Sequence, residues 1–343
     1  MRVRRGIVVM VAVLAVLAGS AVAWAQSSFA GPVFGLASSE GRVYAADAGA
    51  GIVTLRGDKV MDLVPLPGAT AVAPVGRDGA WATTGAGADP TTPSGQALWW
   101  IEDGEAELVA DLWAFEVANN PDGNTPFDSN PYDVVALADG SAIVVDPGAN
   151  AILRANRAGN VQVMAVFPDG LVSTANIKSL AGCPGSEAPF CGLPDQMPAQ
   201  STPTAAAVGA DGSVYVGELR GFPGPTDASS IWKVSPGATG AQCGVSPDCV
   251  KVFDGGFTSI VDLEIDSAGR LFVAEMDERS WAAVEIFGVV EGGTVNRCNL
   301  TSLACEEIET DIPMLSAVTL NGRSLWATRN VLVPGGAEVI RLR

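Results

Sequence analysis

Four acidic side chains recur at one place in a repeated pattern: Asp47, Asp146, Glu218 and Glu275 each close a short alternating apolar run, VYAAD, AIVVD, VYVGE and LFVAE. The 343-residue chain has no histidine. That removes the Ser-His-Asp triad, histidine-held zinc and the usual base near neutral pH. Proton transfer would rest on carboxylates, Lys, Tyr or bound water. Carboxylates joined by an amide, without His or Cys, form a hard oxygen-rich set suited to Ca2+ or Mg2+. Asp146, Glu218, Asp262 and Glu275 are therefore the candidate metal ligands, and Asn130 and Thr202, which open neighbouring runs, are candidate channel-mouth groups. Asp262 precedes Leu263 and Glu264; of the two acids, Asp262 is expected to face inward. Arg329 occupies the corresponding end of the last run, where it would pair with an acid or take an anionic group of a ligand. Phe222 with Pro223 and Pro225, and Trp281, are candidates for an aromatic lid, with plain packing as the alternative.

These residues are held by a repeat. Two short alternating runs around a tight turn recur at 34–47, 69–84, 130–146, 203–218, 259–275 and 315–329, as in PTAAAVGADGSVYVGE and NPYDVVALADGSAIVVD. Each copy is followed by further strand-like runs, except that the last ends with AEVIRLR. Alternation of period two with Gly-containing turns predicts strands and hairpins. Four strands per unit, repeated radially, give an all-β six-bladed propeller, which the mature N-terminus near 28–33 is expected to close by completing the last blade. The best helix candidate is 112–118, with Asp111 as N-cap and Asn119-Asn120-Pro121 as the stop. First-to-second-strand turns then share one face. The long insertions 85–97, 113–129, 168–202, 219–229 and 276–291 gather on the other, where binding work is expected. Asn119, Asn120, Asp122, Asn124 and Asp128 cluster in one of them without the spacing of an EF-hand, and turn formation accounts for most of them.

Residues 1–25 read as an export signal: Arg2, Arg4 and Arg5, then the apolar stretch Ile7 to Ala18, then Ala23-Trp24-Ala25 before Gln26. The apolar core is too short for a permanent span, so no membrane span is expected after cleavage. The mature chain, 26–343, is expected to be one propeller, secreted or periplasmic. Three of the 20 Lys and Arg lie in that signal and none of the 38 Asp and Glu, so the mature chain carries a formal charge of −21. A surface so acidic opposes nucleic-acid binding. The six cysteines fall into close pairs, Cys183 with Cys191, Cys243 with Cys249 and Cys298 with Cys305, which in an exported chain predicts local disulfides.

The stretch FEVANNPDGNTPFDSNPYDVVALADGSAIVVDPGANAILRANRAGNVQVMAVFP resembles the ScyD/ScyE family of exported bacterial propellers, as do STPTAAAVGADGSVYVGELRGFPGP and DGGFTSIVDLEIDSAGRLFVAEM. The resemblance covers about 115–277. It implies an exported propeller that binds a small molecule, a divalent ion or both at its channel mouth, and its pigment-pathway members are placed at late steps on indole-phenol intermediates. The blades also resemble NHL repeats, in which Asp at the positions of Asp47 and Asp146 holds the following turn. Six-bladed gluconolactonase-like hydrolases are similar in holding a channel-mouth divalent ion with acidic and Asn side chains, which makes a metal-dependent lactonase or esterase the first alternative. A non-catalytic cell-surface interaction module is the second.

Overall fold

A computed structural model describes residues 29–57, 59–85 and 95–342, so the expected export signal lies outside the described residues. Six antiparallel sheets form a ring, as the repeat predicts. Their strands are Val33–Ser39, Arg42–Asp47, Gly51–Arg56 and Lys59–Pro65 in blade 1, and Ala69–Val75, Gly79–Thr84, Ala97–Glu102 and Glu105–Asp111 in blade 2. Blade 3 comprises Asp133–Ala136, Ala142–Asp146, Ala151–Ala155 and Val161–Val166. Blade 4 comprises Pro203–Val208, Val214–Glu218, Ser229–Val234 and Cys249–Phe257. Ile260–Ile265, Arg270–Glu275, Gly293–Asn299 and Cys305–Ile312 make blade 5, and Val318–Asn321, Ser324–Arg329 and Glu338–Arg341 make blade 6. One addition was not foreseen: Ala241–Gln242, from the last loop of blade 4, pairs in parallel with Val161–Val166 and adds a fifth strand to blade 3.

The turns follow the sequence. Gly140 and Gly212, in the ADG turns, have φ of +83° and +77°, a region that an L side chain enters only with strain. Alternate residues then face the two neighbouring blades. Ala205 and Ala207 of blade 4 pack against Ile260, Leu263, Leu271 and Val273 of blade 5, and each fully buried Leu or Ile contributes about 1.5–3 kcal/mol. Leu36, Val43 and Ala45 of blade 1 share a cluster with Ala317 and Ala337 of blade 6, which joins the two ends of the ring. Phe29 is buried in that cluster, but 29–32 form no strand, so among the described residues blade 6 has three strands. The ring is thus joined here by side-chain packing across blades 6 and 1, and residue 28 of the expected closing strand lies outside the described residues.

Register fixes which loops share a face. In each blade the start of the first strand opposes the end of the second, as in Val33 opposite Asp47, Pro203 opposite Glu218 and Ile260 opposite Glu275. Insertions that leave second strands or join blades therefore emerge on the same face. They carry the helices α1, Leu112–Asn119, α2, Ala175–Leu180, and α3, Ser280–Phe287. Helix α1 starts as the sequence predicts, with the Asp111 side chain accepting from the Ala114 N–H at 2.8 Å, and stops at Asn120 with φ of +42°. Cys183–Cys191, Cys243–Cys249 and Cys298–Cys305 are all disulfide-bonded. Among the described residues no helix is long and apolar enough to cross a membrane.

Candidate functional site

The first strands of the six blades line a central cavity of about 390 Å³. Three charged side chains line it, Asp133, Asp262 and Glu264, and all are acidic. An innermost strand is an edge with unpaired backbone donors, and two of these acids satisfy the edge of the next blade. Asp133 of blade 3 accepts the Ala206 N–H of blade 4 at 2.8 Å. Asp262 of blade 5 accepts the Val318 N–H of blade 6 at 2.7 Å. Positions 262 and 264 lie two apart on one strand, so both acids face blade 6 and line the channel, where the sequence reading had placed one of them inward. Burial raises all three: Asp133 to about 6, Glu264 to about 7, and Asp262 well above the ordinary range, with Asp133 and Glu264 adding repulsion. Tyr132 bonds Ser316 at 3.0 Å, linking blades 3 and 6, and burial raises its phenol too.

The acids that close the second strands stand one strand away from the channel and are turned into their own blades. Asp47 accepts from the N–H groups of Ala30, Gly31 and Gly49 at 2.7–2.8 Å. Asp146 accepts from the Asn130 N–H at 2.7 Å, the Ser129 hydroxyl at 2.7 Å and the Ala149 N–H at 3.2 Å. Glu218 accepts from the Ser201 hydroxyl at 2.6 Å, the Ser230 N–H and the Trp232 indole N–H. Glu275 accepts the Thr258 N–H and the Asn296 amide. In blade 6 the Thr328 hydroxyl takes over, accepting from the N–H groups of Ser316 and Ala317 at 3.0 and 2.9 Å. The periodicity of these acids thus reflects a shared task, fastening the segment that enters each blade to the end of its second strand. Burial lifts Asp146 to about 6 and Glu275 to about 8.

The four candidate metal ligands therefore do not converge: Asp146, Glu218 and Glu275 serve three separate blades, and Asp262 lies in the channel. Among the described residues no three acidic, His or Cys side chains are grouped so as to hold one ion. This donor set does not fit a shared divalent cation at the mouth. Arg329 pairs with Glu338 through Nε at 2.8 Å and Nη2 at 2.5 Å, away from the other candidates. Asn130 gives its backbone N–H to Asp146, and its side-chain oxygen lies against Gly85 with no donor. Thr202 gives its backbone N–H to the Asn150 side chain at 3.0 Å.

What does converge on this face is a lid. The Asn176 amide of α2 donates to the Gly224 carbonyl at 2.8 Å, the Arg279 carbonyl at 3.0 Å and the Ser280 hydroxyl at 3.1 Å, joining three insertions. Phe190, inside the loop stapled by Cys183–Cys191, has its ring centroid 6.3 Å from Phe222 and 5.6 Å from Phe287. Phe222 is 39% exposed. Trp281 donates its indole N–H to the Arg220 carbonyl at 2.9 Å and anchors α3 beneath the lid. Phe190, Phe287, Asn176 and Arg220 escaped the sequence reading; an acid and a base two residues apart at a strand end, ELR, was the available signal for Arg220. Its guanidinium, 5% exposed, reaches Glu218 through Nη2 at 3.0 Å, while Nε and Nη1 have no acceptor. Replacing Asn176 by Ala removes all three amide contacts and is expected to cost about 1–3 kcal/mol. The measurable result is faster limited proteolysis within 183–191 with the circular dichroism of the blades unchanged.

No protein-family model matches the chain, and no curated protein matches it. Solved structures do. A gluconolactonase from Xanthomonas campestris is 13% identical, with a TM-score of 0.54 over 92% of this chain and 88% of that one. A calcium-binding protein, regucalcin, from Agrobacterium tumefaciens is 12% identical, with a TM-score of 0.51 over 88% and 83%. Virginiamycin B lyase from Staphylococcus aureus is 16% identical, with a TM-score of 0.50 over 93% and 83%. At these identities the likeness is one of fold, the six-bladed propeller.

Proposed function

We propose that the chain is an exported propeller of the ScyD/ScyE type that binds a small aromatic molecule, neutral or cationic, on its insertion face. The observation that carries this reading is the meeting of Phe190, Phe222 and Phe287 from three separate insertions, with Phe222 still 39% exposed. Aromatic side chains offer a flat ligand offset or edge contacts, and a few polar groups around them set its orientation. The charges that line the channel are all carboxylates, which disfavours an anionic ligand. An indole- or phenol-like compound fits this chemistry and agrees with the family resemblance.

Indole is the probe. In titration calorimetry it binds the mature protein, and Phe222→Ala weakens it roughly tenfold, about the value of one aromatic contact. Phe222 is exposed, so the substitution leaves the melting temperature nearly unchanged. Equal affinity in both proteins, or no binding up to the solubility limit, would sink the assignment. The likeness to gluconolactonase is compatible in fold with a metal-dependent lactonase. The ion of such an enzyme would need Asp146, Glu218, Asp262 and Glu275 to turn away from the donors they now serve.

A further inference from the structure

The insertion of blade 5 that carries α3 is pinned at both ends by one carboxylate. Asp277 is fully buried and accepts the N–H groups of Arg279 at 2.9 Å and of Glu291 and Gly292 at 2.8 Å, which ties the start of the insertion to its end. Helix α3 stops at Gly288, whose φ is +65°, and the Val289 N–H closes back on the Ala283 carbonyl at 2.8 Å. Ala282, Ala283 and Val284 are buried under the helix. The residues that follow face water instead: Ile286 is 40% exposed, and Val289 and Val290 are each 39% exposed. Single exposed apolar side chains are ordinary on a protein surface. Three within five positions, on a support held this firmly, form a continuous strip of the kind that partners cover.

The charges around the strip are unbalanced. In 168–202, 219–229 and 276–291 the basic side chains are Lys178, Arg220 and Arg279. Each is already paired, Lys178 with Asp195 at 3.1 Å, Arg220 with Glu218 at 3.0 Å and Arg279 with Glu291 at 4.0 Å. Glu285, beside Ile286, and Glu187, in the stapled loop that brings Phe190 to Phe287, are exposed and have no basic partner among the described residues. The strip is therefore bordered by free negative charge. An anionic membrane surface is repelled by that border, and a basic polypeptide is drawn to it.

We propose that Ile286, Val289 and Val290 dock a segment of a partner polypeptide in which aliphatic side chains are flanked by Lys or Arg. The aliphatic side chains cover the strip and exclude water from it, while the basic ones meet Glu285 and Glu187. The formal charge of −21 on the mature chain speeds the encounter with such a partner. This surface goes beyond the aromatic site: Phe287 turns its ring to Phe190, whereas Val289 and Val290 lie past the helix stop.

The probes are two fluorescent peptides of about 14 residues, one of Leu and Lys in amphipathic order and one with Glu in place of every Lys. Anisotropy is measured on the mature protein in about 150 mM salt, where long-range attraction is largely screened. The Leu/Lys peptide is expected to bind with Kd below about 100 μM, and the Leu/Glu peptide at least roughly tenfold more weakly. Val289→Ser combined with Val290→Ser lowers the affinity for the Leu/Lys peptide roughly tenfold. Both positions are exposed, so the melting temperature stays nearly unchanged, and indole binding is retained. Val245→Ser, at an exposed apolar residue of the loop closed by Cys243 and Cys249, leaves peptide binding as it was. Equal affinity of the wild-type protein and the double variant for the Leu/Lys peptide would show that net charge alone recruits it and would overturn the proposal. Equal binding of the two peptides would do the same. So would co-sedimentation with phosphatidylcholine vesicles that is lost in the double variant, because the strip would then be a membrane contact. Failure of indole to bind leaves every one of these readings intact.

Discussion

Glu218→Ala is expected to destabilise the protein by about 3–5 kcal/mol, read as a lowered urea midpoint, because it strands a buried guanidinium. Glu218 is fully buried and is the counter-ion of Arg220 at 3.0 Å. It also accepts from Ser201, Ser230 and Trp232, so the substitution removes the charge partner and three further acceptor contacts together. Arg220 has Nε and Nη1 unpartnered, so no other acceptor stands ready to replace the carboxylate. The pair Arg329–Glu338 is the internal comparison. It is partly exposed and worth at most about 1 kcal/mol, so Glu338→Ala has a small effect. A buried pair is replaced more safely than broken, and Glu218→Leu combined with Arg220→Met recovers part of the loss. If Glu218→Ala and Glu338→Ala cost the same, the buried pair has been misread.

Stability is also expected to fall as pH rises from about 4 to 8. Five blade and channel carboxyls are raised in the folded state, chiefly by burial: Asp133 and Asp146 to about 6, Glu264 to about 7, Glu275 to about 8, and Asp262 well above the usual range. In the unfolded chain such groups titrate near 3.9–4.3. Between the two limits the native state binds more protons than the unfolded state, so unfolding free energy decreases with pH. The stabilising contribution is complete below the unfolded values and is lost as pH passes through 6, 7 and 8 in turn. Urea unfolding followed from pH 5 to pH 8 is expected to show a midpoint that falls progressively with pH. The opposite slope would mean that the channel acids are ionised and paired in the native protein.

Much of the fold is written locally. The ADG turns, the alternation on either side of them and the six copies place the first and second strands, because a hairpin depends on residues within about a dozen positions. Cysteines six to eight apart can join without reference to the rest of the chain, and the three disulfides do so. Helix α1 carries its own start at Asp111 and its own stop at Asn120. Exclusion of histidine chemistry is likewise a property of composition alone.

The tertiary structure decided what the acids do. Glu218 and Glu275 looked like ligands because they recur, yet each recurrence is a blade fastening its own entry segment, a task visible only once residue 218 meets Ser201 and residue 275 meets Thr258. Asp133 drew no attention in the sequence, since its partner, Ala206, is 73 positions away on the neighbouring blade. Phe190, Phe222 and Phe287 have no common spacing and meet only because three insertions emerge on one face. Periodicity in sequence reports the pairing of strands within a blade. Which oxygen finds a donor is set by packing between blades and loops, where the contacts link residues far apart in the chain.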